Sequence, residues 1–328
     1  MRDATPNTSA MATLPTLLLS REAQALGSDR QLRRQREGGL LLRLATGVYV
    51  NRREFDSLDR DGQHLTRVHA AALLSGLEEQ FSHDSAAALW RLPSIGPWPL
   101  VTHQVVERQA GGRSRAAIRR HGIGFDPHAE VVDGVLVTSL ARTVIDMATV
   151  TPFVRAVAMA DRAMAAGTSH ADFVRAIESR TSTQGRERAH RVIDFASGKA
   201  ESAGESLARV QFHALGYPPP ELQVEFADSE GSIGHVDFYW PELDLIVEFD
   251  GQSKYGPNRQ FQRSISLEQI LLGEKAREDR LRRLVHGFAR ITWSRTVDRR
   301  ALADQLRPHG LVERARARRD TRAPLSDG

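Results

Sequence analysis

Three carboxylates stand where the chain should be building a sheet. In the β-prone runs HVDFYW (235–240) and LIVEFD (245–250), Asp237 lies inside the first and Glu248 and Asp250 lie in the second. Side chains alternate along a strand. Val236, Phe238 and Trp240 would share one face and His235, Asp237 and Tyr239 the other. In the second run Leu245, Val247 and Phe249 would be opposed by Ile246, Glu248 and Asp250. The connection Pro241-Glu242-Leu243-Asp244 suits a hairpin. If it pairs Trp240 with Leu245, Asp237 falls opposite Glu248 and His235 opposite Asp250, with Cβ atoms about 4.5–5.5 Å apart in such pairs. Like charges so placed destabilise a sheet, and a divalent cation between them reverses the sign. Mg²⁺ and Mn²⁺ take oxygen ligands, Mg²⁺ usually with about one or two carboxylates, water and substrate phosphate. The pattern points to metal-assisted attack of water on a phosphodiester. The alternative is a solvent-facing strand edge with ordinary acids.

The elements around these acids form an α/β pattern. ESAGESLARVQFHALGY predicts a helix with Ser202 and Glu205 at capping-box spacing, ended by Gly216 and the prolines at 218–220. LQVEFAD, GHVDFYW and LIVEFD predict strands, SISLEQILLGEKAREDRLRRLVHG a long helix, FARITW a further strand and RRALADQLRPHG a last helix. That order predicts a mixed sheet covered by helices. Arg277, Arg280, Arg282 and Arg283 on the long helix could hold a DNA backbone. Glu274, Glu278 and Asp279 are interleaved with them, so intrahelical ion pairs are the alternative.

At this point the chain resembles a known group. Asp237, ten residues, then Glu248-Phe249-Asp250-Gly251 looks like the PD-(D/E)XK nuclease core, closest to the small endonuclease-like domains related to very-short-patch repair nucleases. The helix before it, the KYG after EFDGQS and the EKAREDRLRRL helix are similar too. The resemblance covers about residues 201–308 and implies a restriction-endonuclease-like α/β domain that cuts DNA with Mg²⁺ or Mn²⁺. It implies that Asp237 and Glu248 bind the metal, helped by the Phe249 carbonyl, and that Glu205 approaches from the preceding helix. The chain departs from the family pattern where lysine is usual, because Asp250 fills that slot. Lys254 or Lys275 could supply the cation, or Asp250 is a further ligand, or the site is weak. The candidate catalytic set is Asp237, Glu248, Asp250, Lys254 and Glu205.

Residues 16–60 suggest how such a site would be targeted. LLSREAQALG predicts a helix capped by Ser20, and SDRQLRRQREGG a second one capped by Ser28 and stopped at Gly38-Gly39. LLLRL, ATG and VYV predict a hairpin. Helix, turn, helix and hairpin is the order of a winged helix, whose second helix enters the major groove. That helix carries Arg30, Arg33, Arg34 and Arg36, and the hairpin carries Arg43. DNA contact is one reading and a solvated basic face the other. The order resembles the N-terminal winged helix of AbiEi-type antitoxins. Residues 64–198, including SHDSAA and VTSLARTVID, resemble the α/β region that follows it in AbiEi-like proteins. Ser82-His83-Asp84-Ser85 has the residue types of a catalytic relay, but consecutive side chains diverge and cannot form one among themselves. Gly122-Ile123-Gly124 is too short for a dinucleotide fingerprint. The 12 histidines are scattered, without an HExxH.

Composition sets the outer bounds. The 328 residues, 41% of them hydrophobic, suffice for two or three domains. The absence of cysteine excludes disulfides and cysteine-ligated zinc and fits a reducing cytoplasm. No apolar run approaches the roughly 20 residues of a membrane helix, and the first residues lack a secretory core. A net charge of +4 and a pI of about 9.8 lean toward nucleic acid. Residues 1–15 and the basic segment 311–328 are expected to be disordered, and 199–310 to form the nuclease-like domain. The expected function is a metal-dependent DNA endonuclease. Its alternative is an AbiEi-like transcriptional regulator whose nuclease-like domain is weak or inactive. DNA is the expected partner, a second copy of the chain a further candidate, and no membrane is expected.

Overall fold

The computed structural model describes residues 14–75, 79–106, 118–251 and 267–313. Lys254 and most of the two end segments lie outside them. The chain divides into two compact units, Met1–Ala196 and Ser197–Gly328. It has a mixed α/β architecture with helices and several small sheets. Among the described residues, no helix is long and apolar enough to cross a membrane.

The first unit begins with β1 (Leu18–Leu19), α1 (Ser20–Ala25), α2 (Asp29–Glu37), β2 (Leu41–Ala45) and β3 (Val48–Asn51). The expected hairpin forms, with Leu42 opposite Val50, and β1 joins it with Leu18 opposite Tyr49. Pairing of β1 moves the start of α1: Ser20 is its first helical residue, not its cap, and its amide donates to the Gly47 carbonyl at 2.9 Å. Ser28 does precede α2, but its hydroxyl donates back to the Ala23 carbonyl instead of capping. Gly39, at φ 73°, ends α2 in a conformation that favours glycine. After α3 (Arg52–Asp56), α4 (Arg60–Ala72) buries Ala70 against Leu19 and Val48.

The rest of this unit contains α5 (His83–Leu89), β4 (Thr102–Val105), β5 (Ile118–His121), β6 (Glu130–Val132) and β7 (Val135–Val137). β4 and β5 are parallel and β6 and β7 antiparallel. Then come α6 (Leu140–Val150), α7 (Phe153–Ala165), α8 (His170–Glu178) and α9 (Arg186–Phe195), the last of which the sequence reading did not anticipate. α6 is buried from Arg142 to Thr149 and packs on α5, α7, α8 and α9.

The second unit holds α10 (Ala203–Ala214), β8 (Glu221–Asp228), β9 (Gly231–Trp240), β10 (Leu245–Asp250), α11 (Leu267–Leu284), β11 (Gly287–Thr292), α12 (Trp293–Val297) and α13 (Arg299–Leu306). The sheet order is β11-β10-β9-β8, with β10 and β11 parallel and the other pairs antiparallel. This is the mixed sheet expected. Trp293 leaves the expected last strand, because Thr292 serves as N-cap of α12. One core cluster joins Phe212, Phe238, Trp240, Leu245, Val247, Phe249, Leu302 and Leu306, and a second joins Ile233, Val236, Ile246, Leu281 and Phe288. Val236 therefore does not share its environment with Phe238 and Trp240, against simple alternation. The change falls where Gln223 on the neighbouring strand adopts φ 54°, a left-handed conformation that redirects a strand.

Candidate functional site

The hairpin register is the expected one: Trp240 pairs with Leu245, Tyr239 with Ile246 and Phe238 with Val247. Beyond Phe238 the Asp237 carboxylate takes over from the ladder, and its Oδ2 accepts the Phe249 amide at 2.7 Å. The expected pairing of His235 with Asp250 does not occur as a cross-strand contact of β9 and β10; His235 lies opposite Glu225 of β8 and is exposed. Asp250 is half-buried at the end of β10, opposite Thr292 in the parallel ladder.

α10 supplies a further acid, Glu205. Gly204 at its start lies against Phe249, and a Cβ there would run into the Phe249 ring. That close approach places Glu205 beside the strand pair. Glu205 is buried, at 7% exposure, and accepts from the Ser202 hydroxyl at 2.7 Å, the Glu201 amide at 2.9 Å and Gln223 at 3.3 Å. Ser202 in turn accepts the Glu205 amide at 3.1 Å. Burial pushes the Glu205 carboxyl up to about 7, and the negative charge of Asp237 pushes in the same direction.

Glu248 is neutralised by arginine. Arg277 of α11 meets its Oε1 at 2.7 Å and also donates to the His235 carbonyl at 2.7 Å, and Arg290 of β11 stands 3.8 Å from its Oε2. Arg277 thus faces Glu248, where the sequence leaves either a DNA backbone or an intrahelical ion pair as its partner. Arg280 is likewise engaged within the chain, bidentate on Asp228 at 2.5 and 2.8 Å. That contact, foremost, pulls the Asp228 carboxyl down to about 2. Arg282 pairs with Glu278 along the helix at 2.7 Å. Lys275 is exposed. Two residues are about 200° of helix apart, so with Arg277 facing the acids Lys275 points away from them.

A raised carboxyl makes stability depend on pH. Between its ordinary 4.5 and its folded value of about 7, Glu205 holds a proton in the folded chain that the unfolded chain has lost. Its contribution is intact below pH 4.5 and is lost as pH rises through 7. One pKa unit is worth about 1.4 kcal/mol, so metal-free protein should lose on the order of 3 kcal/mol across this window from this group. Urea unfolding in EDTA at pH 5 and pH 8 measures it. Glu205→Gln should remove most of that difference, and an identical decline in the variant would place the cause elsewhere.

In the first unit, Arg30, Arg33, Arg34 and Arg36 of α2 and Arg43 of β2 are all exposed. Arg43 bonds to its own turn, at Ala45 and Thr46. None of the α2 arginines forms an ion pair among the described residues. Histidine clustering escaped the sequence reading. His83, His103 and His121 bring ligand atoms within 4.8 Å of one another, the one such group of three or more histidines and acids among the described residues. Burial lowers the basicity of all three, to about 4 for His103 and His121.

No family model matches the chain. Two proteins of Mycobacterium tuberculosis, from strains CDC 1551 / Oshkosh and ATCC 25618 / H37Rv and both called uncharacterized, are 29% identical to it over 231 residues. The match spans 67% of this chain and 78% of each relative.

Proposed function

We propose that the Ser197–Gly328 unit is a divalent-metal-dependent nuclease of the PD-(D/E)XK type, which hydrolyses DNA phosphodiesters, and that an AbiEi-like winged helix within residues 16–60 brings it to DNA. The observation that carries this reading is the buried Glu205, forced to about 7 by burial and by Asp237, beside the strand pair that bears Glu248. Burying like charges together costs free energy, and a hard divalent ion offsets that cost. The donor set that the resemblance implies, carboxylate oxygens with the Phe249 carbonyl, suits Mg²⁺ or Mn²⁺. Asp237 and Glu248 would hold the ion. When bound, it supplies Lewis acidity for attack of water on the phosphodiester. Glu205 can hold or release a proton near neutral pH, as a general base or acid must. Asp237 fixes the end of β10 through the Phe249 amide, which sets where Glu248 sits.

The test is conversion of supercoiled plasmid to nicked circles by purified protein with Mn²⁺, and its suppression by EDTA. A second reading rests on Glu248, whose carboxylate is already matched by Arg277 and Arg290, and on Asp250 in the usual lysine slot. It is a DNA-binding regulator with an inactive nuclease-like unit. Tight DNA binding without any Mn²⁺-dependent nicking would select it.

DNA binding through α2 has its own test. Each phosphate neutralised by a basic side chain contributes about 0.9 to the slope of log affinity against log salt. Arg33→Ala with Arg34→Ala should weaken binding and reduce the slope by up to about 1.8. Fluorescence anisotropy across a salt series reads it, and an unchanged slope would turn this helix away from DNA.

A further inference from the structure

We propose that His83, His103 and His121 form a binding site for a divalent transition-metal ion of the Zn²⁺ class, in the first unit and separate from the acids of the second. Three segments distant in sequence supply the imidazoles. His103 on β4 and His121 on β5 lie on the same side of a parallel pair, since His121 is opposite Val105 and His103 opposite Arg119. Their Nδ1 and Nε2 atoms are 2.9 Å apart. His83 opens α5, with its ring stacked on His121 at 3.8 Å between centroids.

Packing alone gives a poor account of this cluster. His83 is held at φ 48°, in the left-handed region that side chains other than glycine enter at a cost. Such strain persists where the surroundings fix it, and it gathers at functional sites. His103 and His121 between them have one bond across their facing nitrogens, in which only one can donate. A metal ion would use both lone pairs.

The surrounding groups match the outer partners of histidine ligands, which orient the ring through its second nitrogen. The Ser82 hydroxyl lies 2.9 Å from His83 Nδ1, which leaves Nε2 for an ion. Ser82 precedes α5 without capping it through its side chain, so helix capping does not account for the hydroxyl's position. His103 Nε2 is buried and makes no hydrogen bond among the described residues, yet it stands 4.0 Å from Asp84 Oδ2. With Nδ1 on the metal, Nε2 would carry the proton and point it at that carboxylate. Asp84 is itself held by Arg155 at 2.5 Å.

Neutral imidazoles favour zinc, copper, nickel or cobalt over Mg²⁺, which needs oxygen. They bring no charge, and Arg119, Arg142 and Arg180 are close enough to act on them electrostatically. Three ligands also leave a tetrahedral position open. An anion in that position would restore the charge balance, so the expected guest is a cation bound together with an anion.

The experiment titrates Zn²⁺ into the EDTA-treated full chain against a chromophoric chelator, and Co²⁺ with its visible spectrum as readout. Wild type should bind one tight Zn²⁺ that His103→Gln and His121→Gln each lose. Asp237→Asn and the surface variant His170→Gln should keep it. Ser82→Ala should weaken the site about 10–100-fold, as loss of an outer partner does. Zinc-edge X-ray absorption on wild type provides a readout independent of variant folding, with imidazole nitrogens expected at about 2.0–2.1 Å. Absence of tight Zn²⁺ in wild type, affinity undiminished from wild type in both histidine variants, or a shell of oxygens alone would overturn the site.

Discussion

Replacing Asp146 with Asn should cost the first unit roughly 3–5 kcal/mol, the loss typical of removing one partner from a buried ion pair. Asp146 is fully buried on α6. Arg142 Nε meets its two oxygens at 3.1 and 3.2 Å, and Arg180 Nε meets Oδ1 at 3.0 Å. Arg142 also donates to the carbonyls of Ile123 and Gly124, which ties the segment after β5 to the core of the unit. Burial pushes the Asp146 carboxyl up, against the pull of both arginines. Asn keeps the shape and removes the carboxylate charge that, among the described residues, pairs directly with both guanidinium groups. Domain stabilities are typically 5–15 kcal/mol, so the loss should be visible as a large fall in melting temperature. Replacing the trio together, Asp146→Leu with Arg142→Leu and Arg180→Met, should recover much of it, because apolar packing often matches a buried ion network. A single Asn variant within about 1 kcal/mol of wild type would show that water reaches these groups.

The parts of the fold that follow from local chemistry were legible in the sequence. The four-residue connection and the apolar faces of HVDFYW and LIVEFD set the pairing of Trp240 with Leu245, because a one-residue slip would expose both faces. Glycine at 38–39 set the end of α2. What escaped was set by contacts between distant segments. Ser20 became a helical residue because β3 reached β1, and Val236 changed clusters where Gln223 took up a left-handed backbone. Arg277 could not be assigned to the acids from helix spacing alone, since its partners Glu248 and His235 are on other strands. The same holds for the histidines. SHDS, THQV and RRH carry no ligand spacing, and only the parallel pairing of β4 and β5 against α5 gathers them. The hairpin register was visible because its connection is local, whereas the approach of Glu205 to Asp237 was expected only through the family resemblance.

The largest effect is expected at Asp237. Asp237→Asn keeps an oxygen to accept the Phe249 amide, so the end of β10 should hold its place. It removes the charge that acts on Glu205. In EDTA the variant should therefore be as stable as wild type or slightly more so. With Mn²⁺ the order should invert. An ion that binds only the folded state stabilises it by mass action, about 2.7 kcal/mol at one hundred times its dissociation constant, and the variant should forfeit most of that gain. Cleavage should fall further still. Lewis-acid stabilisation is worth several kcal/mol, and each 1.4 kcal/mol is about tenfold in rate, so nicking should drop by roughly 10²–10³ while DNA affinity through α2 is unchanged. Glu248→Gln should lose the same activity. It also frees Arg277 from its carboxylate, so its stability in EDTA should fall where that of Asp237→Asn does not. Melts of both variants in EDTA and in Mn²⁺, beside plasmid nicking, separate the two readings of the second unit. Equal Mn²⁺ shifts in all three proteins would remove these acids from the metal site. A lost shift with no nicking even in wild type would leave a metal-binding unit that does not cut.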